Sequence, residues 1–241
     1  MMVSIEEFST LKLKNPIIIE GFPGIGMIGT ISTSYLAEKL DMTLIGQINS
    51  THFPPIASIH DYKPMSPARI YASEKYNTIV LFSEFVIPSE IVFSLSEEIL
   101  NYAKKKKASA IYSFAGMGSD KPDGKIYSIS STAETGQSLR KAGSELIREG
   151  ATQGVSGVLL IQCAIEKFPA ANLLIQTSSA LDPKGSAKLL EFYSRLSGVT
   201  IDTKELIFEG SKIENKLKDS LEKMQSMHQS YKEMADNPMY S

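Results

Sequence analysis

The chain has 241 residues, of which 42% are hydrophobic and 22% charged, enough to build one large α/β domain with or without an appendage. Its net charge of −2 argues against an electrostatic hold on nucleic acid or on an anionic membrane. The single cysteine, Cys163, excludes an internal disulfide, and we find neither a signal-like start nor an apolar run of membrane-spanning length. We therefore expect a cytoplasmic protein.

Strand and helix patterns alternate through the first half of the chain. Pro16 and Gly21 bound a β-branched run, Ile17 to Ile19, which predicts a buried strand. The apolar stretch NTIVLFSEF predicts a strand covered on both faces. The other predicted elements of this half are a helix from about Met27 to Leu40, a strand from Thr43 to Ile48, and two strands that could pair with each other, Ile56 to Ile59 and Ala68 to Ala72.

The second half continues this alternation. Pro88 predicts the first turn of a helix that ends in the lysine run Lys104 to Lys107. Asp182 predicts the N-cap of a later helix, and Gly198 its end. The other predicted elements are a strand in ASAIYSFAG, a loop in MGSDKPDGK, a hydroxyl-rich loop in YSISSTAETG, a helix from Ala133 to Glu149, a buried helix from Val155 to Phe168 (with a strand left open), and a strand in NLLIQTS.

Strands and helices at this spacing predict an α/β fold whose mixed sheet is covered by helices on both faces. After Gly198 the composition changes, because the stretch from about Lys204 to Ala235 contains no proline and is dense in Lys and Glu. This stretch predicts a helix of roughly 32 residues, about 48 Å long. We divide the chain into an α/β core at 1–202, a C-terminal helix at 203–235 and a flexible tail at 236–241.

The block GFPGIGMIG contains the spacing G-x-G-x-x-G at Gly24, Gly26 and Gly29, between a predicted strand and a predicted helix. A dinucleotide site would also need an acidic residue at the end of the next strand, and that strand ends in Gln47-Ile48-Asn49-Ser50. We interpret the block as a tight turn with close packing. The alternative is a small-molecule or nucleotide-binding enzyme that uses the Gly24–Gly29 turn, with Glu84 or His60.

Other candidate chemistry is weak. His52, His60 and His228 are far apart in the sequence and lack metal-ligand spacing, and Cys163 lies among apolar neighbours that are typical of a core position. No nucleophile elbow is present. We predict no catalytic residue, no cofactor and no metal.

The predicted C-terminal helix carries an apolar stripe with steps of three or four residues. Such a stripe must be covered, either by the chain's own core or by a second copy, and the second option predicts a homo-oligomer. The stripe residues to which we assign oligomerisation are Ile213, Leu217, Leu221, Met224 and Tyr231.

Beyond Asn237-Pro238 the helix cannot continue, and Met239, Tyr240 and Ser241 end the sequence. The Met239 side chain and the Tyr240 ring are apolar, and the tail also carries the Tyr240 hydroxyl and a terminal carboxylate. These groups suit a pocket with an apolar slot and a basic residue. The competing interpretation is a structural oligomer in which the tail packs onto a neighbouring subunit.

Four stretches together resemble the proteasome assembly chaperone family in its archaeal form: GFPGIGMIG, FPPIASIHDYKPMSPARIY, PAANLLIQ and DPKGSAKLL. The resemblance covers about residues 11–235. It implies a phosphorylase/hydrolase-like three-layer α/β/α sandwich, homo-oligomers and no established catalysis.

The same resemblance gives the tail a role. Archaeal members similar to this chain end in a hydrophobic residue, a tyrosine and any residue, which Met239, Tyr240 and Ser241 match. The family reading implies that these residues dock into pockets between α subunits of the proteasome core particle, where the terminal carboxylate meets a lysine. The resemblance thus implies an ATP-independent assembly chaperone or activator.

Overall fold

The structure is a computed structural model that describes residues 3–60 and 62–208, and eight positions further along: 219, 222, 223, 226, 227, 229, 230 and 233. Within these residues the chain forms a nine-stranded sheet and a separate two-stranded hairpin. The strands are β1 (Val3–Glu7), β2 (Ile17–Gly21), β3 (Thr43–Ser50), β4 (Ser58–His60), β5 (Lys63–Met65), β6 (Ala68–Ser73), β7 (Thr78–Ser83), β8 (Ala110–Gly118), β9 (Ile126–Ser130), β10 (Glu145–Leu146) and β11 (Ala170–Thr177).

The large sheet is mixed, as the sequence predicts, and its order is β1-β3-β6-β7-β2-β8-β11-β9-β10. Strands β7, β2, β8 and β11 run parallel at its centre, so their carboxyl ends share one edge. Pairing becomes antiparallel towards both sides, between β6 and β7 and between β9 and β11. The hairpin β4–β5 is not part of this sheet.

Helices cover both faces of the sheet and complete the predicted three-layer sandwich. Ile18 and Ile19, successive residues of β2, belong to two different apolar cores because side chains alternate across a strand. The core around Ile19 is closed by α1 (Ile28–Lys39) and α5 (Pro183–Ser197), and the core around Ile18 by α2 (Val92–Lys105) and α4 (Gly154–Ile165). The helix α3 (Ala133–Lys141) packs beside β9.

The helix signals in the sequence are confirmed at both ends of α5. The Asp182 side chain accepts a hydrogen bond from the Gly185 backbone N at 2.7 Å, as an N-cap does. Gly198 has φ 74°, the left-handed conformation that ends many helices. Pro88 likewise immediately precedes the 3-10 turn Ser89–Ile91 that leads into α2.

Four sequence predictions need correction. Strand β4 pairs with β5 and not with β6, which lies between β3 and β7. The hydroxyl-rich stretch contains strand β9, so it is not a loop throughout. The helix predicted from Ala133 to Glu149 ends at Lys141, because Gly143 (φ 95°) breaks it and β10 follows. The helix predicted to be buried, α4, leaves Ile161 and Ile165 exposed.

The C-terminal region begins as predicted, with α6 (Lys204–Phe208). Leu206 is buried in the core that contains Ile19, Glu205 pairs with Lys39, and the Tyr35 hydroxyl donates to the Asp202 carbonyl at 2.8 Å. The eight described positions from 219 to 233 are helical and exposed. The predicted stripe residues Ile213, Leu217, Leu221, Met224 and Tyr231, and the tail residues Met239, Tyr240 and Ser241, lie outside the described residues, as does His228.

Candidate functional site

The glycine block forms a compact turn from β2 into α1, which confirms the interpretation of close packing. A Cβ on Gly29 would lie 2.5 Å from the Phe114 carbonyl oxygen, and a Cβ on Gly116 would lie 2.1 Å from that of Ile25. Both distances are far below van der Waals contact, so glycine is needed where the turn meets β8. Gly26 adopts φ 66°, a conformation that glycine tolerates without strain.

A shallow cleft of about 630 Å³ opens beside this turn, at the carboxyl ends of β8 and β11. Its lining is mostly small and polar, and Asp120 is the charged residue among the described residues that line it: Gly24, Ile25, Gly26, Gly118, Ser119, Asp120, Thr177, Ser178, Ser179 and Ala180. An aspartate repels a pyrophosphate, and no lysine or arginine of this lining would attract one. The cleft therefore gives the nucleotide-binding alternative no support.

Glu84 and His60, which the sequence proposed separately, are brought together by the structure. Glu84 follows β7, and its Oε1 lies 2.8 Å from His60 Nε2 on the hairpin β4–β5. The other Glu84 oxygen accepts a hydrogen bond from Ser58 Oγ, and Arg69 Nη2 contacts Oε1 as well. With three side-chain donors the carboxylate is engaged structurally, and it holds the hairpin against the sheet.

Arg69 is the charged member of this cluster that the sequence patterns do not identify. Its side chain is 4% exposed, and its guanidinium lies 5.0 Å from the centre of the Phe82 ring. Arg69 Nε and Nη1 are buried without a hydrogen-bond partner in the described part of the chain. The ion pair with Glu84 therefore provides the charge compensation seen for this buried cation. A charged residue inside an otherwise apolar strand, ARIYAS, is the sequence signal that could have identified it.

A second missed residue is Glu20, which is fully buried in the central strand β2. Its carboxylate accepts hydrogen bonds from the Phe22 backbone N and from Ser156 Oγ, each at 3.1 Å. Burial raises the pKa of Glu20, and the hydrogen bonds from Ser113, Phe22 and Ser156 oppose that rise only in part. Glu20 thus connects β2 to the start of α4 and to the glycine turn.

Cys163 is buried in α4, as predicted for a small core residue. Burial raises the pKa of its thiol to about 12, which keeps it protonated and unreactive. His52 is exposed and its Nδ1 lies 3.3 Å from Thr51 Oγ1, far from any second histidine in sequence. Among the described residues, no three His, Cys, Asp or Glu side chains lie close enough together to hold a metal ion.

The sequence that builds this turn and cluster matches a known protein family. Residues 18–221 match the PAC2 family, a range that contains the glycine turn, Glu84 and α5. The chain belongs to the PAC2 family.

Three similar proteins come from archaea. This PAC2 protein is 31% identical to an uncharacterized protein of Methanocaldococcus jannaschii over 236 residues, covering 97% of this chain and 96% of the relative. Its structure matches Pyrococcus furiosus PbaA, an archaeal homolog of proteasome-assembly chaperone, with TM-score 0.83, 30% identity and coverage of 93% and 99% of the two chains. Pyrococcus furiosus PbaB, an archaeal proteasome activator, shares the fold (TM-score 0.76, 18% identity, coverage 90% and 98%).

None of the helices described for this PAC2 protein is both long and apolar enough to cross a membrane. The C-terminal stretch precedes the three residues that the sequence predicts to bind a partner. Its described positions Asp219, Lys223 and Met227 are helical and solvent-exposed, as are the other five. These side chains are therefore not covered by the core of their own chain.

Proposed function

We propose that this PAC2 protein is an ATP-independent proteasome assembly chaperone or activator, and that Met239, Tyr240 and Ser241 dock into pockets between α subunits of the core particle. The observation that carries the proposal is the similarity to PbaA, which covers 93% of this chain and 99% of PbaA at 30% identity. PbaA is described as an archaeal homolog of proteasome-assembly chaperone. The proposal requires no cofactor and no catalytic residue.

The start of the C-terminal helix supports a role in presenting the tail. Leu206 is fully buried, and Glu205 and Asp202 are tied to α1 through Lys39 and Tyr35. The chain is thus anchored at α6, while the described helical positions beyond it are exposed. The sequence predicts one helix from Lys204 to Ala235, and such a helix, anchored at its start, would hold a terminal segment away from the core.

The chemistry of the last three residues suits a socket on another protein. Burying Met239 and Tyr240 would contribute roughly 3–5 kcal/mol before the cost of ordering them. With Ser241 as the carboxyl terminus, its carboxylate can pair with a lysine. One tail would bind weakly, but several tails on a homo-oligomer would raise the overall affinity through effective concentration. We place this interaction in the cytoplasm.

Two matched variants test the docking. Deletion of Met239 to Ser241 removes all three groups, whereas extension beyond Ser241 by Gly-Gly-Ser keeps both apolar side chains and moves the carboxylate. Both variants should lose co-sedimentation with purified archaeal α-rings, while the unmodified protein is retained. Undiminished binding of the deletion variant would remove the tail from the proposal. If the extension variant binds and the deletion variant does not, the terminal carboxylate is not part of the docking contact.

A further inference from the structure

Glu20 is the one acidic side chain that is buried among the described residues, and it has no counterion there. No lysine, arginine or histidine in this part of the chain forms an ion pair with it. Its hydrogen-bond partners are all neutral: the Phe22 backbone N, Ser156 Oγ and Ser113. A carboxyl group in such a site is far less costly in its protonated form than as an anion.

The elements around Glu20 place neutral side chains beside it. In register on β7 and β8, and at the start of α4, these neighbours are Leu81, Ser113 and Ser156. The ionisable side chains of the same elements have other partners or lie about two helical turns away: Tyr102 of α2 (bound to Glu7), Glu84 after β7 (bound to Arg69) and Cys163 of α4. The proton of Glu20 is therefore exchanged with water and not with a neighbouring acid or base.

The first turn of α4, residues 154–157, joins the Glu20 carboxyl to the protein surface. Ser156 contacts the carboxyl with its hydroxyl and is itself half-buried. The four residues before Val155 are exposed. Water can therefore reach Glu20 through a movement of this one turn.

The backbone at the start of α4 lacks the usual stabilisation of a helix end. Gln153 stands at the N-cap position, and its side chain makes no capping hydrogen bond. A missing cap typically costs a helix end about 1 kcal/mol. Gly154, the first residue of α4, has φ 72°, which is a left-handed conformation and not a helical one. The first turn is thus the part of α4 that can open most easily.

One polar contact fixes this turn to the sheet. Ser96 Oγ on α2 lies 3.3 Å from the Val155 carbonyl oxygen but 2.8 Å from that of Val92, so its stronger hydrogen bond stays within α2. The bond from Ser156 Oγ to Glu20 Oε2, at 3.1 Å, is the one side-chain hydrogen bond that joins the first turn to the sheet in the described part of the chain. The state of Glu20 therefore acts directly on the turn.

We propose that residues 154–157 form a proton-controlled gate, the α4 gate, which is closed over the protonated Glu20 carboxyl and opens when Glu20 releases its proton to water. In the closed gate burial raises the pKa of Glu20, whereas in the open gate water returns that pKa to the ordinary glutamate value. The gate therefore closes as pH falls and opens as pH rises. It lies in the α/β core and does not depend on docking of the tail.

The wild-type full chain provides the first test, through hydrogen–deuterium exchange of its amides between pH 5 and pH 8. Dividing each rate by the intrinsic rate at that pH gives the opening constant of the segment. Because opening releases a proton, the constant for the α4 gate should rise at least tenfold over this range. It should also exceed at least tenfold the constant for α5, whose exchange reports global unfolding. A constant independent of pH, or equal constants in the two helices, would overturn the proposal.

Three matched variants test the part played by Glu20. Glu20→Gln has no proton to release, so the opening constant of the α4 gate should vary less than twofold between pH 5 and pH 8. Glu149→Gln, at an exposed position in the loop before α4, is the control and should keep the wild-type pH dependence.

Ser156→Ala leaves Glu20 in place and removes its hydrogen bond to the gate. The opening constant should then rise about fivefold at pH 5, which is the effect of one lost hydrogen bond. This variant also serves if Glu20→Gln does not fold. A pH dependence that persists in Glu20→Gln, or an opening constant that Ser156→Ala leaves unchanged, would overturn the control of the gate by Glu20.

Discussion

Glu84 Oε1 lies 2.8 Å from His60 Nε2 and also contacts the buried guanidinium of Arg69. The two partners differ in exposure, because His60 lies on the hairpin surface and Arg69 is almost completely covered. One carboxylate thus joins the hairpin β4–β5 to the interior of the sheet. Removing the Glu84 carboxylate should lower the free energy of unfolding mainly because Arg69 loses its partner. The lost contact with His60 should contribute much less.

We expect Glu84→Gln to lower the free energy of unfolding by about 3 kcal/mol, because it leaves the Arg69 charge buried without a counterion. His60→Asn should cost about 0.5–1 kcal/mol, since that pair is partly solvated. Urea denaturation measures both. Glu149→Gln, at an exposed loop position, is the control and should be neutral. A loss below about 1 kcal/mol for Glu84→Gln would show that Arg69 is stabilised in some other way.

Glu20 should make stability depend on pH. Burial raises the pKa of its carboxyl in the folded state, so the folded protein favours the protonated form. The resulting stability is complete below the pKa of the unfolded state and is lost as pH rises through the raised folded pKa. Glu20→Gln removes this loss and can still accept from the Phe22 N. The variant's gain in unfolding free energy over wild type should therefore be larger at pH 8 than at pH 5, and a gain independent of pH would contradict this account.

Two glycines of β8 offer a matched pair. A Cβ on Gly116 would meet the Ile25 carbonyl at 2.1 Å, whereas a Cβ on Gly118 would meet nothing within 4 Å. Gly116→Ala should cost about 2–4 kcal/mol in unfolding free energy, because backbone must move to make room. Gly118→Ala should stay within about 1 kcal/mol of wild type. Equal effects in urea denaturation would mean that the turn does not pack on β8 as described.

Cys163 should react only when the core opens. With its pKa raised to about 12, almost no thiolate exists at pH 8, and the sulfur is buried in addition. Labelling by Ellman's reagent should be about 100-fold slower in the native protein than in the denatured one. A cysteine at exposed Ala133 (Ala133→Cys) provides the fast control. Fast native labelling of Cys163 would contradict its core position.

Local signals predicted much of this fold. The β-branched run Ile17 to Ile19, bounded by Pro16 and Gly21, predicts β2, and the Asp182 cap and Gly198 stop predict α5. Strand β9 was missed because its serines are typical of loops. In the structure Ser128 is buried and accepts a hydrogen bond from Ser144 Oγ at 2.6 Å, a pairing between distant residues that no local pattern contains. The predicted helix from Ala133 is too long because a single glycine, Gly143 with φ 95°, follows the end of α3.

The candidate site was only partly predictable for the same reason. Glu84 and His60 could be named from their positions, but their contact depends on how the hairpin β4–β5 folds back, and the sequence pattern favoured the wrong strand pairing. Glu20 and Arg69 carry charge inside strands, where the apolar neighbours dominate any periodicity. The exposure of Ile161 and Ile165 is not predictable from the sequence, because a neutral apolar helix predicts burial on all sides.

The central claim is that the last three residues bind the core particle, and it is tested most directly by titrating immobilised archaeal α-rings with the full chain and its Tyr240→Ala variant. Loss of the buried phenol should cost about 2–3 kcal/mol per tail, which is a rise of roughly 30- to 150-fold in the dissociation constant measured by surface plasmon resonance. Tyr62→Ala, at the exposed tip of the hairpin, should bind as wild type does. Equal affinities of the wild type and Tyr240→Ala would contradict docking through the tail.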